Sequence, residues 1–470
     1  MSLLAERTDA TGSTARGAER VDCFAMSDLV ESKPLSGFQD VLPQEALRFE
    51  QAVDKLKAVF RRYGYAPIDT PCIYRFETLT GGRAGIDKQL FEWTKGDEGA
   101  HVALRFDLTV PLARYVAANF PKLTFPFKRY DVGKVWRGER PQKGRYREFY
   151  QCDFDVVGTT AVSADLEVAL VMNDALAALG VERFQVRIND RQILNGLLSA
   201  LGLLDKSADV LRIVDKLDKI GEGGVKDELA SALSIAGETA EQVLAFTRLS
   251  REKEGDALLA ELERRFATND LARRGVERLR FVVTGARKLR PAERFTIDLS
   301  IARGLGYYTG TVYETVLLDA PEFGSVCSGG RYDDLASYYT KNRLPGVGAS
   351  VGLSRLLAAQ EKLAPATGAK APCPVLIITA PDTDPFEGAR VATLLRDAGV
   401  GSELYPQGTG DDAAKMGKQF KYGDARGFQL AVIVAPDELS RKAVKVKDMR
   451  TQEQIEVPID DLATRVKSKL

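Results

Sequence analysis

The stretch KVWRGERPQKGRYREFYQCDFDVVG, from Lys134 to Gly158, decides the fold. Arg137, Arg140, Lys143, Arg145 and Arg147 place five cations within eleven residues, and Pro141 and Gly144 bend the chain among them. From Phe125 onward the pattern is strand, basic loop, strand. The second strand alternates with period two. Tyr150, Cys152, Phe154 and Val156 share one face; Phe149, Gln151, Asp153 and Asp155 share the other. The apolar face predicts a core behind it. The opposite face then offers an aromatic plane, an amide and carboxylates beside the cations. An anionic ligand with an aromatic ring, together with an ammonium group, matches that set, and ATP plus an amino acid has those features. A solvated basic hairpin accounts for the charge alone equally well.

Three further segments carry chemistry. In IARGLGYYTGTVYE (Ile301 to Glu314), Arg303 sits among glycines that permit close approach of a backbone or ligand, and Tyr307 and Tyr308 offer a hydroxyl and a ring. SVCSGGRYDDL (Ser325 to Leu335) follows, and its Gly-Gly pair reads by itself as a common turn. GVGASVGLSRLLAA (Gly346 to Ala359) runs from a strand into a helix with Arg355 on its first turns, where a surface arginine is the plainer reading. LRFDLTVPLARY (Leu104 to Tyr115) sets Asp107 and Thr109 at a strand end, where capping a helix is the plainer reading.

Outward from these segments, Pro43 and Glu45 open a helix whose Phe49, Ala52, Val53, Leu56, Val59 and Phe60 form an apolar stripe, and Gly64 ends it. Tyr65 to Ile73 reads as an extended run, with Pro67 and Pro71 pointing to an edge or an interface. Residues 165–182 read as a helix and about 190–290 as a helix-rich, charged insertion or satellite. Strand alternation returns at Phe295 to Leu299 and Gly310 to Leu318, and KLAPATGAKAPCP (362–374) reads as a linker. Beyond it, strands at Val375 to Ala380, 400–405 and Leu430 to Ala435 alternate with helices at 386–398 and 411–427. Alternating strands at Ala443 to Asp448 and Gln454 to Ile459 and a terminal helix complete a compact α/β domain.

The whole chain has 470 residues, which at roughly 100–200 residues per domain points to about three domains. Lys+Arg and Asp+Glu both total 66, so nucleic-acid contact has to use a local basic patch. His101 is the one histidine, which excludes histidine-cluster metal sites, and nothing around it resembles a hydrolase triad. Cys23, Cys72, Cys152, Cys327 and Cys373 are scattered singly, which speaks against zinc ribbons and disulfide frameworks and fits a reducing cytoplasm. No apolar run reaches the roughly 18 residues of a membrane span. Residues 1–30, small and polar with mixed charges, fit neither a transit nor a signal peptide and read as a disordered extension.

Taken together, the chemistry-bearing segments resemble one family, the class II histidyl-tRNA synthetases, from about Leu35 to the end of the chain. RRYGYAPIDTPCI (Arg61 to Ile73) is similar to motif 1 of that class, WRGERPQKGRYREF to motif 2 and GVGASVGLSRL to motif 3. The RGLxYY and SGGRYD segments are the histidine-specific ones. The family's usual RGLDYY has Gly306 here in place of its Asp. The resemblance implies an α+β fold: an antiparallel-sheet catalytic domain over 31–361 with the helical insertion, then the linker, then an anticodon-binding domain over 375–470.

It also implies the chemistry: histidine attacks the α-phosphate of ATP to give histidyl-adenylate, and the histidyl group passes to tRNA(His). Arg137 and Arg303 would flank the α-phosphate as the catalytic pair, both also touching histidine. Arg355 would face the γ-phosphate, and Phe149 would stack on adenine with Glu139 and Arg145 nearby. Mg²⁺ would ride on the β- and γ-phosphates; no protein metal site is expected. Asp107, Thr109 and Gln151 would hold the ammonium, Asp155 and Tyr308 would read the imidazole, and Tyr307 and Tyr332 would line the site. Asp155 paired with a loop arginine is the alternative. Arg140, Gln142 and Lys143 would meet the tRNA acceptor end. Lys415, Lys418 and Lys421 form a basic stripe, by itself a solvated helix face. A cytoplasmic homodimer is implied. The rivals are a histidine-sensing regulatory subunit of an ATP phosphoribosyltransferase, and a class II synthetase for proline, threonine or glycine.

Overall fold

A computed structural model describes residues 30–81, 89–95, 99–141, 144–301, 307–363, 370–406 and 414–470. The expected extension over residues 1–30 lies, but for its last residue, outside the described residues. The chain opens with α1 (Pro43–Arg62), β1 (Ala66–Pro67), β2 (Ile73–Arg75), α2 (Phe76–Thr80), β3 (Glu92–Lys95), β4 (Ala100–Leu104), α3 (Thr109–Asn119), β5 (Phe127–Trp136) and β6 (Glu148–Val157). After α4 (Val162–Ala178) and β7 (Phe184–Asp190) come α5 (Arg191–Ala200), α6 (Ser207–Val214), α7 (Leu217–Leu233), α8 (Gly237–Glu252), α9 (Gly255–Arg265) and α10 (Asp270–Leu289). Then follow β8 (Phe295–Ile297), β9 (Thr311–Leu317), β10 (Ser325–Tyr332), β11 (Gly346–Val351) and α11 (Leu353–Leu363).

β5 and β6 form the long hairpin that the alternation predicts. They sit within an eight-stranded sheet ordered β1-β5-β6-β11-β10-β9-β7-β8, antiparallel except for its outer pairs β1–β5 and β7–β8. Residues opposite one another in an antiparallel pair point to the same side. Register therefore sorts the sheet into two faces. Cys152, Phe154 and Val156 lie in the apolar cluster with Leu56 and Phe60 of α1, Val168 and Met172 of α4, and Leu279 and Val283 of α10. The other face collects Arg129 and Asp131 opposite Asp155 and Asp153, and these in turn opposite Gly348 and Ser350. Ser328 and Tyr332 of β10 continue it.

Three expectations need correction. Tyr65 to Ile73 is not one strand: β1 closes an edge of the large sheet, while β2 belongs to a small antiparallel sheet ordered β2-β4-β3. Pro71 lies between them and cannot donate to a ladder. The Gly-Gly of SGGRYD lies inside β10, because the close neighbours β9 and β11 leave no room for a turn. The helix-rich stretch is not a satellite: Val210, Leu229, Val243 and Phe246 share one continuous apolar cluster with the sheet, and α10 packs on α4 and α5.

Beyond residue 369, β12 (Val375–Thr379), α12 (Pro385–Asp397), β13 (Ser402–Leu404), α13 (Met416–Arg426), β14 (Leu430–Val434), α14 (Pro436–Ser440), β15 (Ala443–Asp448), β16 (Gln454–Pro458) and α15 (Leu462–Lys467) follow in order. Their five-stranded sheet runs β13-β12-β14-β15-β16, parallel at β13–β12–β14 and antiparallel beyond. Among the described residues, its apolar clusters draw on positions from 371 onward. α11 runs to Leu363, into the stretch read as a linker, and residues 364–369 lie outside the described ones.

Candidate active site

The polar face of the large sheet floors a cleft of about 840 Å³. One end is lined by Arg137, Glu139, Arg145, Phe149 and Arg355. The other is lined by Asp107, Thr109, Asp155, Tyr307, Tyr308 and Tyr332. Arg137, Glu139, Arg145, Gln151 and Arg355 border both. Segments far apart in sequence thus converge because β6, β10 and β11 are neighbours in the sheet and the turn before α3 lies over them.

At the cationic end, Arg137 donates its Nε–H to the Phe106 carbonyl at 3.0 Å and holds its guanidinium 5.2 Å from the Phe149 ring centroid. Arg145 lies 3.9 Å from Glu139, a loose pair in a half-exposed setting. Arg355 donates to the Ser325 carbonyl at 2.6 Å and lines the cleft, so it is not the surface arginine of the plainer reading. Arg140 is exposed on the hairpin loop; Gln142 and Lys143 lie outside the described residues. So do Arg303 and Gly306; the catalytic pair therefore has only Arg137 described.

At the acidic end, Asp107 is buried and does two things. Its Oδ1 accepts the Val110 N–H at 3.0 Å, serving the first turn of α3 as the plainer reading expects, while its Oδ2 accepts from the Tyr307 hydroxyl at 3.4 Å. The Tyr307 ring stands edge-on to Tyr308 and Tyr332. Asp155 is buried too. Its Oδ1 accepts from the Tyr332 hydroxyl at 2.6 Å and its Oδ2 lies 2.8 Å from Arg129 Nη2. The arginine beside Asp155 thus comes from the neighbouring strand, not from a loop. Gly348 makes this arrangement possible: a Cβ there would stand 2.1 Å from Asp155 Oδ1. Gly346 does the same for the Tyr332 ring, which would be 2.3 Å away.

Arg129 was not among the sequence-derived site residues, although the alternation of Arg129 and Asp131 along β5 was available to flag it. It is wholly buried and also donates to the Leu108 carbonyl at 3.1 Å, tying the turn before α3 to the floor. Burial alone would favour its neutral form, but Asp155, Asp153 and Asp131 outweigh that and raise its pKa. The same burial raises all three carboxyls. Asp153 is pushed up to about 8, against the opposing effects of Arg129 and a Ser350 hydrogen bond. Arg191, Asp209, Asp215 and Lys219 of the helical region also line the cleft, and no motif marked them.

Within SGGRYD the strand divides the labour. Tyr332 and Ser328 face the cleft, while Arg331 points to the helix side, where its Nε donates to Asp165 of α4 at 3.0 Å. His101 is remote from the cleft lining, bonded to Glu92 at 3.0 Å and stacked on Phe76. Among the described residues no group of three or more His, Cys, Asp or Glu side chains is disposed to hold a metal ion. No helix there is long and apolar enough to cross a membrane.

An antiparallel sheet whose polar face carries a motif 2 hairpin beside a motif 3 strand–helix defines a class II aminoacyl-tRNA synthetase. A sequence model of histidyl-tRNA synthetase matches residues 37–356, and one of an anticodon-binding domain matches 375–469. The chain belongs to the histidyl-tRNA synthetase family. A histidine–tRNA ligase of Rhodopirellula baltica is 46% identical over 91% of this chain and 96% of its own. One from Wolinella succinogenes is 41% identical over the same shares. The crystal structure of the histidyl-tRNA synthetase from Nostoc sp. PCC 7120 superposes with a TM-score of 0.83 at 34% identity, covering 94% of this chain and 100% of that one.

Proposed function

We propose that this protein charges tRNA(His) with L-histidine in two steps inside the cleft. Histidine first attacks the α-phosphate of ATP, releasing pyrophosphate and leaving histidyl-adenylate; the terminal adenosine of the tRNA then takes the histidyl group. The observation that carries this reading is one continuous cleft in which the cations Arg137, Arg145 and Arg355, next to the Phe149 ring, adjoin the carboxylates and tyrosines around Asp107 and Asp155. ATP, entering with Mg²⁺ on its β- and γ-phosphates, fits the first. An amino acid with a basic ring fits the second.

A carboxylate is already a nucleophile, so the first step needs alignment and charge neutralisation. In this reading Arg137 and Arg303 flank the α-phosphate, where a planar, permanently charged fork suits the pentacoordinate state. Phe149 receives adenine, with Glu139 and Arg145 beside it, and Arg355 serves the γ-phosphate. Asp107, Thr109 and Gln151 take the ammonium. Asp155 and Tyr308 take the imidazole, and Tyr307 and Tyr332 close the wall. Arg140, Gln142 and Lys143 meet the acceptor end.

The domains divide the work: residues 31–361 form the adenylate, and 375–470, including the Lys415, Lys418 and Lys421 stripe, hold the anticodon arm. The enzyme works in the cytoplasm as a homodimer, joined through the segment of α1 and β1; light scattering that finds an active single chain overturns the dimer.

ATP–pyrophosphate exchange with each of the twenty amino acids tests the reaction. Exchange with histidine alone is expected. Histidine binding without exchange would favour the regulatory-subunit reading, and exchange with proline, threonine or glycine would overturn the specificity.

A further inference from the structure

β8 lies along one edge of β7 and parallel to it, while β9 lies along the other edge and antiparallel. The chain leaving β8 therefore has to cross the C-terminal end of β7 to enter β9, and it crosses where α5 begins. Two residues of that junction hold the crossing at its two ends. Asn189 donates its amide to the Ile301 carbonyl at 3.0 Å. Arg191 donates its backbone N–H to the Gly310 carbonyl at 3.0 Å and its Nη1 to the Tyr308 carbonyl at 2.7 Å.

The peptide joining Tyr308 to Thr309 is thus gripped from both sides, because the Thr309 N–H donates to the Arg331 carbonyl of β10 at 2.7 Å. A peptide unit is planar, so fixing its C=O and its N–H fixes the plane, and with it the direction in which the Tyr308 side chain leaves the backbone. The ring then lies against Gly330, where a Cβ would stand 2.9 Å from Tyr308 Cδ1. With the Arg191 donor removed, the same peptide is held by its N–H and can tilt about the bond to Arg331. A small tilt at the backbone is a larger displacement at the hydroxyl, the far end of the ring.

We propose that Arg191 is a positioning residue for histidine recognition: through the Tyr308 carbonyl it holds the Tyr308 ring and hydroxyl in place against the imidazole. This rests on the reading of Tyr308 as one of the groups that take the ring. Because Arg191 also lines the cleft, direct contact with the substrate carboxylate is the competing role. Histidinol, which keeps the ring and the ammonium but lacks the carboxylate, separates the two.

ATP–pyrophosphate exchange and its inhibition by histidinol are measured in the full-length enzyme and in Arg191→Met, Arg191→Lys, Tyr308→Phe and the double variants. Arg191→Met removes the donor and keeps an unbranched stem. It is expected to lower the histidine kcat/KM about tenfold and to weaken histidinol by the same factor, the scale of one buried hydrogen bond. The KM for ATP stays unchanged, a split that general loosening of the fold would not give. In a Tyr308→Phe background Arg191→Met adds nothing further, since the two act as one unit. Arg191→Lys, whose ammonium still reaches one carbonyl, recovers part of the loss. Its remaining loss of about threefold, a fraction of one hydrogen bond, also vanishes in Tyr308→Phe, and that comparison decides the matter where Arg191→Met does not fold.

An unchanged histidine kcat/KM in folded Arg191→Met overturns the proposal, as do losses that multiply with those of Tyr308→Phe or an equal rise in the KM for ATP. Histidinol spared while histidine weakens places Arg191 on the carboxylate itself and overturns it too. If Tyr308→Phe weakens histidine and histidinol but neither Arg191 variant does, the positioning role is wrong and the Tyr308 reading stands. If Tyr308→Phe leaves both ligands unaffected, both fall.

Discussion

Gly348→Ala puts the histidine end of the cleft to a test that changes no charge and removes no hydrogen-bonding group. The added methyl would lie 2.1 Å from Asp155 Oδ1 and 2.5 Å from the Phe154 carbonyl oxygen. Ordinary carbon–oxygen contacts fall at about 3.3–3.6 Å, so the carboxylate has to retreat by more than about 1 Å. Asp155, the end of a side chain, yields most, and the separate clash with the Phe154 carbonyl is strain that the β6–β11 pair has to absorb. The 2.6 Å bond that Asp155 accepts from Tyr332 is lost in the process. A misplacement of this size costs about 10² in rate. Overpacking strain adds about 1–3 kcal/mol against folding. The histidine kcat/KM in pyrophosphate exchange should therefore drop about a hundredfold. The KM for ATP should change little, because Arg137, Phe149 and Arg355 line the other end.

Gly388→Ala in α12, against the C-terminal sheet, is the control. Its methyl would lie 2.3 Å from Thr379 Oγ1, a comparable strain far along the chain. It should lower Tm and leave exchange intact. A folded Gly348→Ala enzyme with histidine kcat/KM within about threefold of wild type, too small for a 1 Å displacement at the substrate, refutes the placement of Asp155 against the ring. Parallel loss toward ATP and histidine refutes its selectivity.

Arg303→Ala should cost about 10²–10³ in exchange rate with Lys a poor replacement, and a folded variant with near-normal exchange would remove Arg303 from the catalytic pair. Removing residues after about 370, at the start of a part with its own apolar clusters, should spare exchange more than aminoacylation; abolished exchange in a folded remainder would contradict the division of labour. Burial alone would raise the Asp174 pKa, but hydrogen bonds from Arg290, Tyr63 and Asn173 outweigh it and bring it to about 2. A depressed carboxylate stabilises the fold above its unfolded pKa and loses that contribution as pH falls through the folded one. Asp174→Asn should thus cost ~1 kcal/mol at neutral pH, after solvent screening, and almost nothing near pH 2. Denaturant melts that find the same difference at both pH values would contradict this.

How much of this was legible in the sequence varies with the range of the cause. The two faces of β6 follow from a period-two alternation that the backbone geometry of any strand imposes. Likewise the elements of the C-terminal α/β part fall within a few residues of their expected bounds, because short apolar strands and amphipathic helices are local patterns. The motif residues Arg137, Phe149, Gln151, Asp155, Tyr307, Tyr308, Tyr332 and Arg355 were all readable as candidates, and all line one cleft. What local pattern cannot supply is pairing. The Gly-Gly of β10 reads as a turn until β9 and β11 flank it, and a helix-rich stretch reads as a satellite until its apolar faces join the core of the sheet. Arg129 illustrates the same limit. Its alternation with Asp131 marks a polar strand face, but not its partner: that needs β6 beside it, Asp155 opposite and a burial that makes an unpaired charge too costly to keep. Sequence by itself determined which side chains face together along each strand. The order of the strands decided which of them meet across the sheet, because hydrogen-bonded neighbours some 5 Å apart are chosen by the packing of the whole chain and not by residues adjacent in it.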